Sequence, residues 1–256
     1  MTRIVPLRAT ALCLVAALCI IAWSIPAPAA QPVASEAAAK PLPGQALEIL
    51  KKGNARFATG TANHPGTDKN RMQHTARSDP STTPLATILS CSDARVPVER
   101  IFDAGIGDLF VVRVPANVAN EDQIAAVEYG ATRLATPLVV VMGHTRCTAV
   151  RTAVDALSGY YYDTPPRFDR IIDAVEPAVL RVMAHDPTAG DDRLAALAEE
   201  ENVRQSIRDL LSTSYLLREL VASGKVRLTG AIYVTNLGRV HFMDDSLGMR
   251  LMNETE

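Results

Sequence analysis

The sequence predicts an α/β fold, a single domain built on a mostly parallel sheet flanked by helices. Three short runs carry that expectation: Leu85 to Ser90, Leu109 to Val114 and Pro137 to Met142. Each is nearly continuously apolar, as strands covered on both faces are. Helical patterns lie between them, which is the alternation of a parallel α/β sheet.

The elements follow in chain order. In residues 1–30, Arg3 and Arg8 precede an uncharged stretch from Ala9 to Ile25, and small residues follow around Ala29. That layout is a secretory signal, cleaved near Ala29 to Gln31. A retained anchor is the alternative reading, but the apolar run is short of the roughly 20 residues that span a bilayer, which favours cleavage. The expected destination is the periplasm or the exterior, with no stable membrane insertion. Residues 31–43 are rich in Ala and Pro and read as a flexible tether, leaving one compact domain over 44–256. Gln45 to Phe57 is a helix, with Gly53-Asn54 expected to interrupt it. Gly60 to Pro84 is polar, a loop with at most one helical turn. Val98 to Phe102 is a short helix and Gln123 to Leu134 a longer one. Asn120 is its expected N-cap, with Glu121 and Asp122 in the first turn. Helices over Arg167 to Ala184, Asp192 to Ser212 and Tyr215 to Ser223 fill the C-terminal half. A strand from Val226 to Val234 then turns through Asn236-Leu237-Gly238 into Val240-His241-Phe242 as a hairpin.

Composition narrows the function. Of 256 residues, 48% are hydrophobic and 21% charged, an ordinary globular balance. A net charge of -2 supplies no cationic excess for a nucleic-acid backbone. Aromatics at 5% argue against base-stacking platforms.

In parallel sheets the reactive crevice lies beyond the carboxyl ends of the strands, and two polar clusters fall there. Cys91-Ser92-Asp93-Ala94-Arg95 follows the first strand, and Gly143-His144-Thr145-Arg146-Cys147 follows the third. If those strands are neighbours, Cys91, His144 and Cys147 converge. The spacing of the last two places both on the first turn of a helix. Two thiolates and one imidazole are a three-ligand set for catalytic zinc with the fourth position open, and soft sulfur selects zinc over magnesium or calcium. Of the four cysteines, Cys13 and Cys19 leave with the signal, and in an exported chain the two that remain read by default as a disulfide. His144 at ligand spacing, with Asp93 and Arg95 beside Cys91, favours zinc, and the Cys91–Cys147 disulfide of a catalytically silent protein stays as the alternative. The Arg95 guanidinium can hold Asp93 through two parallel bonds. That would keep the carboxylate near the ion yet off it, with an oxygen free to orient a zinc-bound hydroxide. His64, His74, His185 and His241 have no such company.

At these residues the chain resembles the β-class carbonic anhydrases. The resemblance rests on Cys91 to Pro97 with Glu99, Gly107 to Arg113, Asn117, Gly143 to Cys147, Asn202-Val203, Gly230 to Tyr233 and Gly238 to Val240. It implies reversible hydration of carbon dioxide to bicarbonate and a proton, by hydroxide on a zinc ion held by Cys91, His144 and Cys147. It also implies the catalytic Asp93–Arg95 pair and a homodimer or larger oligomer with the site near an interface. In some members the aspartate turns to become the fourth ligand, so Asp93 is a metal ligand only in a closed state. A related zinc hydrolase of carbon disulfide or carbonyl sulfide would share these motifs. Three positions depart from the family: Thr82 stands for a frequent Gln, Thr148 for a usual Gly, and Ala116 for the usual Gly before Asn117. Thr82 removes a donor to substrate, and Thr148 is expected to crowd the helix start.

Overall fold

The computed structural model describes residues 39–160 and 164–254. The segment read as a signal, and residues 31–38 of the tether, lie outside the described residues. Five strands form one sheet: β1 (Ala86–Ser90), β2 (Leu109–Arg113), β3 (Leu138–His144), β4 (Arg227–Val234) and β5 (Arg239–Phe242). Their order is β2-β1-β3-β4-β5. The first four run parallel, and β5 returns antiparallel beside β4 as the far arm of the hairpin. Gly238, at φ +67°, makes that reversal in the left-handed region.

Nine helices surround the described sheet: α1 (Pro43–Ala58), α2 (Lys69–Thr75), α3 (Val98–Ile101), α4 (Glu121–Thr132), α5 (Thr148–Leu157), α6 (Asp169–His185), α7 (Asp191–Thr213), α8 (Tyr215–Ala222) and α9 (Leu247–Glu254). Alternate residues of each strand face opposite sides. Leu89, Val139, Val141 and Leu228 pack with Val127 of α4, Ile207 and Leu210 of α7, Leu217 of α8 and Leu251 of α9. Ile88, Val140 and Met142 face the other way, onto Leu47 and Leu50 of α1 and Ile101 of α3. Because both faces are covered, β1 and β3 are buried at every residue, which is why their sequences are almost wholly apolar. Among the described residues no helix is long and apolar enough to cross a membrane.

Several expectations change. Gly53-Asn54 does not interrupt α1. The helix runs through, and a Cβ on Gly53 would lie 1.9 Å from the carbonyl oxygen of Phe102, so glycine here permits a close approach. Asn54 is buried and spans three segments. Its Nδ2 donates to the carbonyls of Ile101 (3.1 Å) and Gly238 (2.9 Å), and its Oδ1 accepts from the N–H of Val240 (2.8 Å). Within 60–84 the chain forms the seven-residue α2, because Asp68 accepts from the N–H groups of Asn70 and Arg71 at its start. Asn120 occupies the N-cap of α4, but its side chain makes no capping bond. The third strand extends two residues past Met142 to His144, and α9 forms where no helix was expected. Near the first described residue, Lys40 donates to the carbonyls of Pro84 and Leu134.

Asn54→Ala would leave three backbone groups without partners. Each unsatisfied buried group costs about 1–3 kcal/mol, so denaturant unfolding should show a loss of about 3 kcal/mol or more; a change under 1 kcal/mol would count against Asn54 as the fastener of α1 to the hairpin.

Candidate metal centre

β1 and β3 pair in parallel with Ser90 opposite Met142, so their carboxyl ends emerge side by side. Cys91 follows β1 directly, and His144 is the last residue of β3. Cys147 is the N-cap of α5. His144 and Cys147 therefore come from a strand end and a helix cap rather than from one helical turn, a correction to the spacing argument. The turn between them is tight, with Arg146 at φ +57°. Ligand atoms of Cys91, His144 and Cys147 lie within 4.8 Å of one another, and all three residues are buried.

The donor set suits a metal ion. Both cysteines are free, and their sulfurs stand 4.0 Å apart, about twice the length of a disulfide bond (~2.05 Å). Two sulfurs on a tetrahedral zinc, each at about 2.3 Å, would stand about 3.8 Å apart. Nδ1 of His144 lies 3.1 Å from the carbonyl oxygen of Thr145, which accepts its proton and leaves the lone pair on Nε2. That Nε2 is buried and has no hydrogen-bond partner among the described residues. A ring nitrogen fixed through its partner nitrogen in this way is the usual support of a metal-bound histidine.

Asp93 and Arg95 stand at the open side. Arg95 Nε donates to Oδ1 of Asp93 at 2.9 Å and its Nη2 to Oδ2 at 2.7 Å, while the Arg95 backbone N–H adds a third bond to Oδ1 at 2.8 Å. These bonds hold the Asp93 carboxyl well below the usual carboxylate range. Oδ2 of Asp93 lies 3.9 Å from Nε2 of His144. Arg113, at the end of β2, ties the same turn down: its Nε donates to the carbonyl of Cys91 (3.1 Å) and its Nη2 to that of Asp93 (2.7 Å).

The two thiols shift in opposite directions. Hydrogen bonding from Cys147 lowers Cys91 to about 4, aided by His144 and opposed by burial. The same bond, reinforced by burial, raises Cys147 above its ordinary value. For His144, burial works downward, but the neighbouring Cys91 outweighs it and the net shift is upward.

The departures take definite places. Thr148 is exposed at the first turn of α5. Thr82 is exposed and spends its hydroxyl on the carbonyl of Asp79. Ala116 adopts φ +59°, the left-handed conformation that glycine takes freely. Asn202 on α7 donates to the Ala116 carbonyl at 2.6 Å, and Ser206 to that of Asn117 at 3.0 Å, holding this turn in place. Glu199, which the motif reading missed, accepts from the backbone N–H of Cys147 at 2.8 Å, and burial pushes its carboxyl up. The available signal was periodicity: Ala195, Ala198, Glu199, Asn202, Val203 and Ser206 are the buried stripe of α7 at helical spacing, so this acid points inward. His64, His74, His185 and His241 do not join the cluster.

A sequence profile of the carbonic anhydrase family matches residues 86–240. Carbonic anhydrase 2 of Mycobacterium tuberculosis is 33% identical over 208 residues, covering 79% of this chain and 93% of that one. Among solved structures, a β-carbonic anhydrase of Aspergillus fumigatus, CafA, superposes with a TM-score of 0.62 at 21% identity, covering 83% of this chain and 98% of its own. A crystal structure reported for two tetrameric β-carbonic anhydrases of Sordaria macrospora superposes with a TM-score of 0.59 at 20% identity, covering 78% and 97%. The two structures establish likeness of fold.

Because Cys147 holds its proton above the ordinary thiol range, a metal ion must displace that proton to bind. Raising the pH makes the displacement easier. Zinc affinity, measured by chelator competition at pH 6, 7 and 8, should therefore rise about tenfold or more per pH unit. A pH-independent affinity would contradict the cysteine ligands.

Proposed function

The chain belongs to the β-class carbonic anhydrase family, and from that premise we propose that it hydrates carbon dioxide reversibly at a zinc ion held by Cys91, His144 and Cys147. The observation that carries the reading is the meeting of two free sulfurs and an unpartnered ring nitrogen beside a doubly bonded Asp93–Arg95 pair. Zinc there would polarise a water and lower its pKa toward about 7, less far where two thiolates already offset its charge.

The chain's own groups supply the rest. Arg95 keeps Asp93 ionised and occupies both carboxylate oxygens, which supports a carboxylate held off the ion in an open site. From that position Asp93 accepts a hydrogen bond from the reacting water and orients it toward the carbon of carbon dioxide. A C–O bond forms, bicarbonate leaves, and the water's proton passes to solvent buffer. Val114, Ala116 and Val118 belong to the apolar cluster that encloses Cys91 and Cys147. Cys91 and Cys147 hold the ion; a closed state would need Asp93 to leave Arg95.

We extend the proposal to assembly and location. β2 is the edge strand of the sheet, and Leu109, Phe110, Val111 and Val112 on it are only half-buried. An edge of that kind invites pairing or cover by a second copy, and tetramers are described for the Sordaria relatives. Export is proposed from the charge and small-residue pattern of residues 1–30.

Stopped-flow hydration of carbon dioxide by the zinc-loaded protein tests the reading. Activity should rise from pH 6 to 9, and a flat profile or no hydration would overturn it. Asp93→Asn should retain zinc and fold while losing about 100-fold or more in kcat/KM, the scale of a lost orienting contact at a reacting group; wild-type turnover in this variant would remove Asp93 from the mechanism.

A further inference from the structure

The peptide unit joining Arg146 to Cys147 is gripped at both ends. Its carbonyl accepts from Nη2 of Arg95 at 2.9 Å, and its N–H donates to Oε1 of Glu199 at 2.8 Å. The first grip comes from the side chain that also holds Asp93. The second comes from the middle of α7, where Glu199 is only 7% exposed. The turn needs holding. Arg146 sits at φ +57°, a conformation that costs a residue with a side chain roughly 1–2 kcal/mol.

We infer that Glu199 is a positioning residue of the metal centre, fixing the plane of the 146–147 peptide and with it the direction in which the Cys147 sulfur points. The inference rests on Cys91, His144 and Cys147 being the zinc ligands. A carboxylate suits the task on two counts. It makes a charge-assisted bond, stronger than a neutral one, and it places negative charge near the N-terminal end of the ten-residue α5. Through the shared peptide, the sulfur ligand and the Asp93–Arg95 pair are mechanically connected. Glu199 keeps Cys147 in place even when Arg95 lets go of the other end. If Glu199 only pinned α7 to the body, its loss would lower stability and leave the geometry around the ion unchanged.

Three variants of the full chain separate these roles. Glu199→Ala removes the acceptor, Glu199→Met removes it while filling the volume, and Glu199→Gln retains an acceptor oxygen. Zinc affinity is read by chelator competition, and ligand geometry by the visible spectrum of the cobalt(II)-substituted protein. Loss of a supporting partner of a metal ligand typically costs 10–100-fold in affinity. The Ala and Met variants should therefore weaken zinc by about 10–100-fold and shift the cobalt bands. The Gln variant, which keeps an acceptor oxygen without the charge, should bind zinc more tightly than the Ala and Met variants and less tightly than wild type. Should the Ala variant not fold, the Met variant answers the same question. Wild-type affinity and an unshifted spectrum in Glu199→Met would overturn the inference, as would a Gln variant no better than Met. A wild-type chain that binds no zinc would instead overturn the ligand assignment beneath it.

Discussion

Parallel pairing of β1 with β3, with Ser90 opposite Met142, delivers two segments distant in sequence to the same end of the sheet. Cys91 leaves one strand as His144 ends the other, and Cys147 lies one short turn further on. A shift of one residue in that register would turn alternate side chains to the other face. It would exchange the partners of Ile88 and Leu89 and separate the sulfurs from the imidazole. Burial on both faces makes such a shift costly, so the cores on either side of the sheet hold the site together.

Around the three ligand residues, backbone groups are held by side chains from elsewhere in the fold. Arg113 ties the Cys91 and Asp93 carbonyls, Arg95 and Glu199 grip the 146–147 peptide, and Asn202 and Ser206 steady the left-handed turn at Ala116. Each of these bonds fixes a loop whose own conformational preferences would not. At the open side the Asp93 carboxylate is paired with the Arg95 guanidinium. Such an arrangement limits the cost of keeping several ionisable groups in a partly dry site.

The three converging residues were legible because β1 and β3 are nearly continuously apolar and each ends in a polar cluster, a pattern with a direct physical meaning. The hairpin was legible from Gly238. Other features depend on contacts between distant segments. Gly53-Asn54 has the composition of a helix interruption, and only the approach of Phe102 and the hairpin explains why it lies within a continuous helix. Glu199 stands in a run of three glutamates, and only the phase of the buried stripe marks it as inward-facing. Thr148 replaces a usual glycine yet meets solvent. Ala116 also replaces one, and there the backbone still adopts the glycine-like conformation. His144 and Cys147 do lie together, but a strand end and a helix cap bring them there, not the helix spacing the sequence suggested.

X-ray absorption at the zinc edge of the metal-loaded protein tests the central claim most directly. Ligation by Cys91, His144 and Cys147 predicts two sulfur neighbours at about 2.3 Å and an imidazole nitrogen at about 2.0 Å, with one further light atom completing four-coordination. A zinc shell without sulfur would contradict the account.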